Sequence, residues 1–214
     1  RGVTDYWVND SLGNPFFVVT KTVNPGLLSV LERGIIPRLL EDVPGQPTEE
    51  ELKAGKNLFR LGIVFDREGF SPAFFKKMLA LRIVCYTYRK NVKDVWPEPE
   101  FVETEVVFTN GEKAKMKLAE RGLYYPDADM WVREIRKLKE SGHQTSLVAT
   151  DFFSDMPRIA GAMFSRWSQE NFFKYMMEHY GIDRLIDYQL EKMDETTKVV
   201  NPSHRELESQ IRSR

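Results

Sequence analysis

Two acidic residues, each with basic and aromatic neighbours, are the positions in this chain that could do chemistry. Asp66 follows the short apolar run LGIVF at residues 61–65 and opens Asp66-Arg67-Glu68-Gly69. Glu170 lies between Arg166 and Lys174 at steps of four, among Met163, Trp167, Phe173 and Met177. At that spacing the three charged residues form one row on a helix, the ordinary role of which is an exposed ion-pair ladder. The apolar company implies instead a half-buried face, where an unpaired carboxylate is costly unless a cation or a metal offsets it. Hard cations such as Mg²⁺ take carboxylate oxygens, so metal-assisted chemistry is one use for such a pair. The commoner role for Asp66 is capping the turn, since Asp before Gly is ordinary loop chemistry.

The elements that must position these residues follow from pattern. Residues 58–91 read as a buried strand at 61–65, a loop, a helix over 71–81 and a strand at 83–88, with the first strand covered on both faces. Asp66 then stands at a strand's carboxyl end, the edge where open α/β sheets bind ligands. Ahead of this, residues 4–9 and 15–21 predict a hairpin, with Gly13 and Asn14 supplying positive φ and Asp10 opening the turn. Asp5 and Asp10 are carboxylates whose ordinary roles are local. Apolar residues at 27, 28, 31, 35, 36, 39 and 40 give a helical stripe interrupted by Gly34 and Pro37, hence one kinked helix or two short ones. Residues 48–51 read as an acidic surface connection.

Past residue 96 the pattern changes to strands without helices. Segments 102–109 and 112–119 flank Asn110-Gly111, and 131–138 and 144–149 flank Glu140-Ser141-Gly142, giving an antiparallel β region over 96–150. Lys113, Lys115 and Lys117 alternate along one strand and would share a face, either touching phosphates or standing as a solvated, charge-guarded surface. Ser154 or Asp155 can cap the next helix, with Pro157 in its first turn. Residues 191–214 are polar.

Composition sets bounds. With 214 residues, 31 Lys and Arg against 32 Asp and Glu, the chain can hold one large domain and has no global basic footprint. Any contact with DNA must draw much of its affinity from another region. Single Cys85 forms no internal disulfide, and His143, His179 and His204 lack cysteine partners at zinc spacing. No phosphate-binding glycine loop, nucleophile elbow or membrane-length apolar run is present. The start, RGVTDYW, lacks Met and enters a strand pattern at once, so a fragment of something longer is expected.

Read together, DREGFSPAFFKKMLALRIVCYTYRKN and RWSQENFFKYM resemble the second-aspartate region and the C-terminal signature of bacterial insertion-sequence DDE transposases. In the first, a strand ends in Asp, an Arg and a Gly-aromatic pair follow, and a helix leads to a strand ending in basic residues. In the second, Arg stands four residues before Glu, then come an aromatic pair and Lys. The resemblance spans nearly the whole chain. It departs at the inserted Glu68, and at Met163 and Met177, where a Tyr and a second Lys often stand. The family's first catalytic Asp lies on a strand before the opening hairpin, which this chain does not include.

The resemblance implies a ribonuclease-H-like α/β/α core in which the strands ending at Asn9, Lys21, Asp66 and Tyr88 share one mixed sheet. Residues 1–95 would be its first part, 96–150 a β insertion beyond that sheet, 151–190 the return with the catalytic helix, and 191–214 a tail. It also implies Asp66 and Glu170 as metal-binding catalytic carboxylates, close in space, with two Mg²⁺ (or Mn²⁺) ions. Arg166, Lys174 and Arg67 would orient Glu170 or meet phosphate. The implied partners are double-stranded transposon ends and a second copy in an active homodimer, in a bacterial cytoplasm. The implied activity is DNA strand cleavage and transfer, with the fragment by itself inactive. A non-catalytic remnant of the same fold, or another nuclease of that fold, stays open on the residues alone.

Overall fold

Alternating β-branched and aromatic residues at both ends of a Gly-containing loop produce the first element, a hairpin of β1 (Thr4–Asn9) and β2 (Pro15–Lys21). The computed structural model describes residues 3–22, 24–165, 174 and 176–181. Asp10 closes the hairpin loop by accepting from the Leu12 and Asn14 amides, and Gly13 supplies the positive φ, 92°. Asn14 keeps a negative φ, because the Asp10 carboxylate already satisfies its amide.

The interrupted stripe forms α1 (Leu27–Val30), a π-helical turn (Leu31–Ile35) and α2 (Ile36–Asp42) in one continuous path. Pro37 has no N–H to give to the preceding turn, and the wide turn relieves that mismatch. The acidic segment expected as a connection is a short helix, α3 (Glu49–Ala54). Thr48 and Glu51 form a reciprocal capping box, and Leu52 is buried. The chain then passes through β3 (Leu61–Phe65), α4 (Pro72–Ala80, capped by the Ser71 hydroxyl) and β4 (Ile83–Tyr88). Strands β3 and β4 pair in parallel, Leu61 opposite Ile83 and Phe65 opposite Thr87.

Strands β5 (Val102–Val107), β6 (Lys113–Tyr125), β7 (Met130–Leu138) and β8 (Gln144–Ala149) form an antiparallel meander. They continue the sheet of β3 and β4, in the order β3-β4-β8-β7-β6-β5, while β1 and β2 form a two-stranded sheet of their own. The expectation of one sheet shared by β1 to β4, with the 96–150 strands beyond it, is therefore corrected. Residues 86–88 of β4 pair with β8, and Thr150 extends the contact by exchanging hydrogen bonds with Cys85.

Strand β3 is also corrected from doubly covered to an edge strand: Phe65 is buried, but Gly62 and Val64 are exposed. A Cβ on Gly62 would meet the Tyr86 ring at 3.2 Å, so the small residue serves that aromatic neighbour.

Side-chain parity along β4 separates two cores. Ile83 and Cys85 join α1, α2, α4 and the hairpin's Phe17, whereas Tyr86 and Tyr88 face α5 (Met156–Phe164) on the other side. Helix α5 starts where sequence placed it, with Asp155 accepting from the Arg158 amide and Pro157 in the first turn. Its Ile159, Ala160 and Met163 are buried against the meander. Gly161 lies so near β5 that a Cβ there would stand 2.5 Å from the Val107 carbonyl oxygen. Layers of helix, sheet and helix result, in a mixed α/β architecture.

One polar cluster ties the meander to β4. Glu134, 2% exposed, accepts two hydrogen bonds from Arg89 and one each from Arg136 and Ser146. Arg136 is fully buried, bonds Asp94, and stacks 4.2 Å over the buried Trp96 ring. Removing one member of a buried pair strands the others without compensation, at a cost of about 3–5 kcal/mol. Glu134→Ala is accordingly expected to lower unfolding free energy by that much in urea titration, and Glu134→Gln by less because an acceptor remains. A loss under ~1 kcal/mol for the alanine variant would show that the cluster does not hold the sheet together.

Candidate active site

The carboxyl end of β3 turns sharply, and Asp66 stands at the corner. Its side chain accepts from the Arg67 amide at 2.6 Å and caps a 3₁₀ turn, Arg67–Gly69. Gly69 is required there, since a Cβ would lie 2.6 Å from the Phe65 ring. Asp66, Arg67 and Glu68 are exposed. Lys90, just past β4, donates to the Glu68 carbonyl at 3.4 Å. Asp66 thus does perform the local capping role, and its exposure leaves the rest of the carboxylate open to solvent.

Asp66 also lines a groove of about 530 Å³. One wall is β1 from Asp5 to Asn9, the other is β3, and Leu27, Leu31, Ile35 and Leu39 contribute apolar surface from the helical path. Ala162 and Ser165 reach the same groove from the end of α5. Ser165 closes that helix by donating to the Gly161 carbonyl at 2.6 Å and accepting from the Thr109 amide at 3.0 Å. Arg166 and Glu170 lie outside the described residues, and Lys174 is exposed. The structure therefore brings Asp66 and the residue just before Arg166 to one groove.

The other candidates settle into local roles. Asp5 lines the groove and accepts from the Thr20 hydroxyl at 2.6 Å, and Asp10 holds its turn. Lys113, Lys115 and Lys117 pair with Glu105, Glu103 and Glu98, at 2.9, 2.9 and 3.1 Å. The lysine stripe is thus a neutralised cross-strand ladder. Burial pushes the Cys85 thiol well above its ordinary pKa, which leaves an inert core residue. Among the described residues, no group of three or more His, Cys, Asp or Glu side chains could hold a metal ion. Nor is any helix among them long and apolar enough to cross a membrane.

Sequence reading missed Asp151, which is 4% exposed beyond the end of β8. It accepts from the Tyr86 hydroxyl at 2.7 Å and from the Phe153 and Ser154 amides. Burial works against its charge, but the bonds from Ser154, Tyr86 and Phe153 outweigh that and hold its pKa at about 2. Burial, then the bond to Asp151, pushes the Tyr86 phenol above its ordinary range. Tyr86 lines the groove behind β3, so Asp151 fixes one of its walls. Asp-Phe-Phe-Ser, a local turn sequence with Asp in first position, was the available signal.

A mixed sheet layered by helices, with a carboxylate at a strand's carboxyl end beside a groove, defines a class of α/β proteins that work at sheet ends. A family model described as transposase protein matches residues 1–214, and the chain belongs to that transposase family, with a general role in transposition. A search of curated proteins found no match.

Asp151 has a folded-state pKa below its unfolded value of about 3.9. Its contribution to stability is thus present above pH ~4 and is lost as pH falls toward about 2. Acid titration of unfolding free energy should show a shallower decline between pH ~4 and ~2 in Asp151→Asn than in the parent. Identical slopes would mean that Asp151 is not held ionised by these bonds.

Proposed function

We propose that this chain is part of a DDE-type transposase catalytic domain of ribonuclease-H-like fold, from a bacterial insertion sequence, with Asp66 and Glu170 as two of its three active-site carboxylates. The observation that carries this reading is the groove shared by Asp66 and Ser165, which brings the two sequence motifs to one place. Membership of a transposase family supports DNA phosphodiester chemistry as the task.

Asp66 fits a hard cation: it offers carboxylate oxygens, is exposed, and is engaged only by the Arg67 amide among the hydrogen bonds described for it. Asp66 and Glu170 would hold Mg²⁺ or Mn²⁺, which supplies activation of the nucleophile and neutralisation of charge on the phosphate. The third carboxylate comes from outside residues 1–214. An oxygen of water or of a DNA 3′-hydroxyl bonds to phosphorus as the bond to the leaving 3′ oxygen breaks. The nucleophile loses a proton and the leaving oxygen gains one. Arg166 and Lys174 orient Glu170 or contact phosphate, and Arg67 contacts the strand beside Asp66. Double-stranded transposon ends are the substrate, a homodimer is the active form, and the setting is cytoplasmic.

A second reading, a non-catalytic domain of the same fold, has the Asp66 turn cap in its favour. Plasmid nicking with Mg²⁺ or Mn²⁺ separates the two. Residues 1–214 alone should not nick, and a chain extended upstream through one more strand should. In that extended chain Asp66→Ala or Glu170→Ala should reduce the rate at least ~100-fold, the scale of losing a ligand that orients the reacting groups. Nicking by residues 1–214, or undiminished nicking after either substitution, overturns the catalytic assignment.

A further inference from the structure

The geometry points to the groove between β1 and β3 as a slot for one extended polypeptide strand, apolar on its inner side, which would join the two separate sheets into one. The inference deepens the reading above, in which part of the domain comes from outside residues 1–214. It rests on three observations.

First, among the described residues β1 pairs only with β2, and β3 only with β4, so each has one edge without a strand neighbour. Those two strands are the long walls of one groove, residues 5–9 on one side and Leu61–Phe65 on the other. Unpaired strand edges are templates for strand addition, and a six-residue strand would match walls about 20 Å long.

Second, Leu27, Leu31, Ile35 and Leu39 give the groove apolar surface, which suits alternate apolar side chains of a strand with one face turned toward the helices. Val64 of β3, 37% exposed, gives the LGIVF run an apolar side chain that a neighbouring strand would cover.

Third, charge selects the occupant. The lining includes Asp5, Asp10 and Asp66 and no Lys or Arg among the described residues, so a nucleic-acid backbone meets like charge there, whereas a peptide backbone meets the donors and acceptors of two strand edges.

The test is amide hydrogen exchange on the full 214-residue chain. It is measured alone, with a free Val-Thr-Val-Thr-Val-Thr peptide, and with that segment fused ahead of β1 through an Asn-Gly turn. A fused control carries Pro at two strand positions, which removes ladder donors. In the fused chain, amides of both β1 and β3 that lie outside the β2 and β4 ladders should exchange at least ~10-fold more slowly, and the Pro control should cancel this. The free peptide should protect the same amides. Protection confined to β1 would mean a simple three-stranded hairpin and would overturn the bridging strand.

Light scattering of the unfused chain should show a monomer. A dimer with both edges already protected would make a second copy the occupant, and protection by a short oligonucleotide would make the groove a nucleic-acid site; either result overturns the proposal. Because exchange needs neither metal nor cleavage, failure of the strand slot and failure of the catalytic assignment are separately visible.

Discussion

A buried carboxylate held between two guanidiniums is the interaction on which this sheet depends. Glu134 sits in β7, Ser146 in β8, Arg89 just past β4, and Arg136 reaches from β7 to Asp94 in the link toward Trp96. Charges removed from water must find their partners or the fold loses several kcal/mol, so strand alignment is set by a geometric requirement as well as by apolar burial. Arg89 lies two residues beyond Thr87, the residue paired with Phe65. The cluster consequently steadies the same end of the sheet at which Asp66 stands.

That end combines rigid and open features. Gly69 against the Phe65 ring fixes the turn tightly, while Asp66, Arg67 and Glu68 stay exposed on it. On the opposite face, Gly161 lets α5 approach the β5 backbone until hardly any space remains, which sets where Ser165 and the groove meet. Catalytic groups need such supported positions, because misplacement by about 1 Å can cost two orders of magnitude in rate.

Local signals were legible in the sequence. The opening hairpin, the strand-helix-strand unit around Asp66, the Asn110-Gly111 turn and the Asp155 cap all lie where side-chain pattern and turn chemistry place them. The α3 capping box was legible too, as Thr-x-x-Glu, but its short acidic run lacks the apolar stripe that marks longer helices. Pairing between distant strands was not legible. Nothing in residues 83–88 or 144–149 says that they are neighbours, and β3 reads as fully buried although it is an edge. For the site, sequence found Asp66 but not Asp151, whose importance comes from Tyr86 65 residues away.

The paired Glu–Lys ladder on β5 and β6 shapes how the molecule looks from a distance. Each lysine there stands about 3 Å from a carboxylate, so beyond the screening length of about 10 Å the ladder presents small dipoles and almost no net field. Arg67 and Lys90, by contrast, have no ion pair among the described residues, and both lie at the Asp66 end of the sheet. An approaching polyanion would therefore be steered by this small cationic rim, whereas the more numerous lysines of the ladder would exert little pull on it.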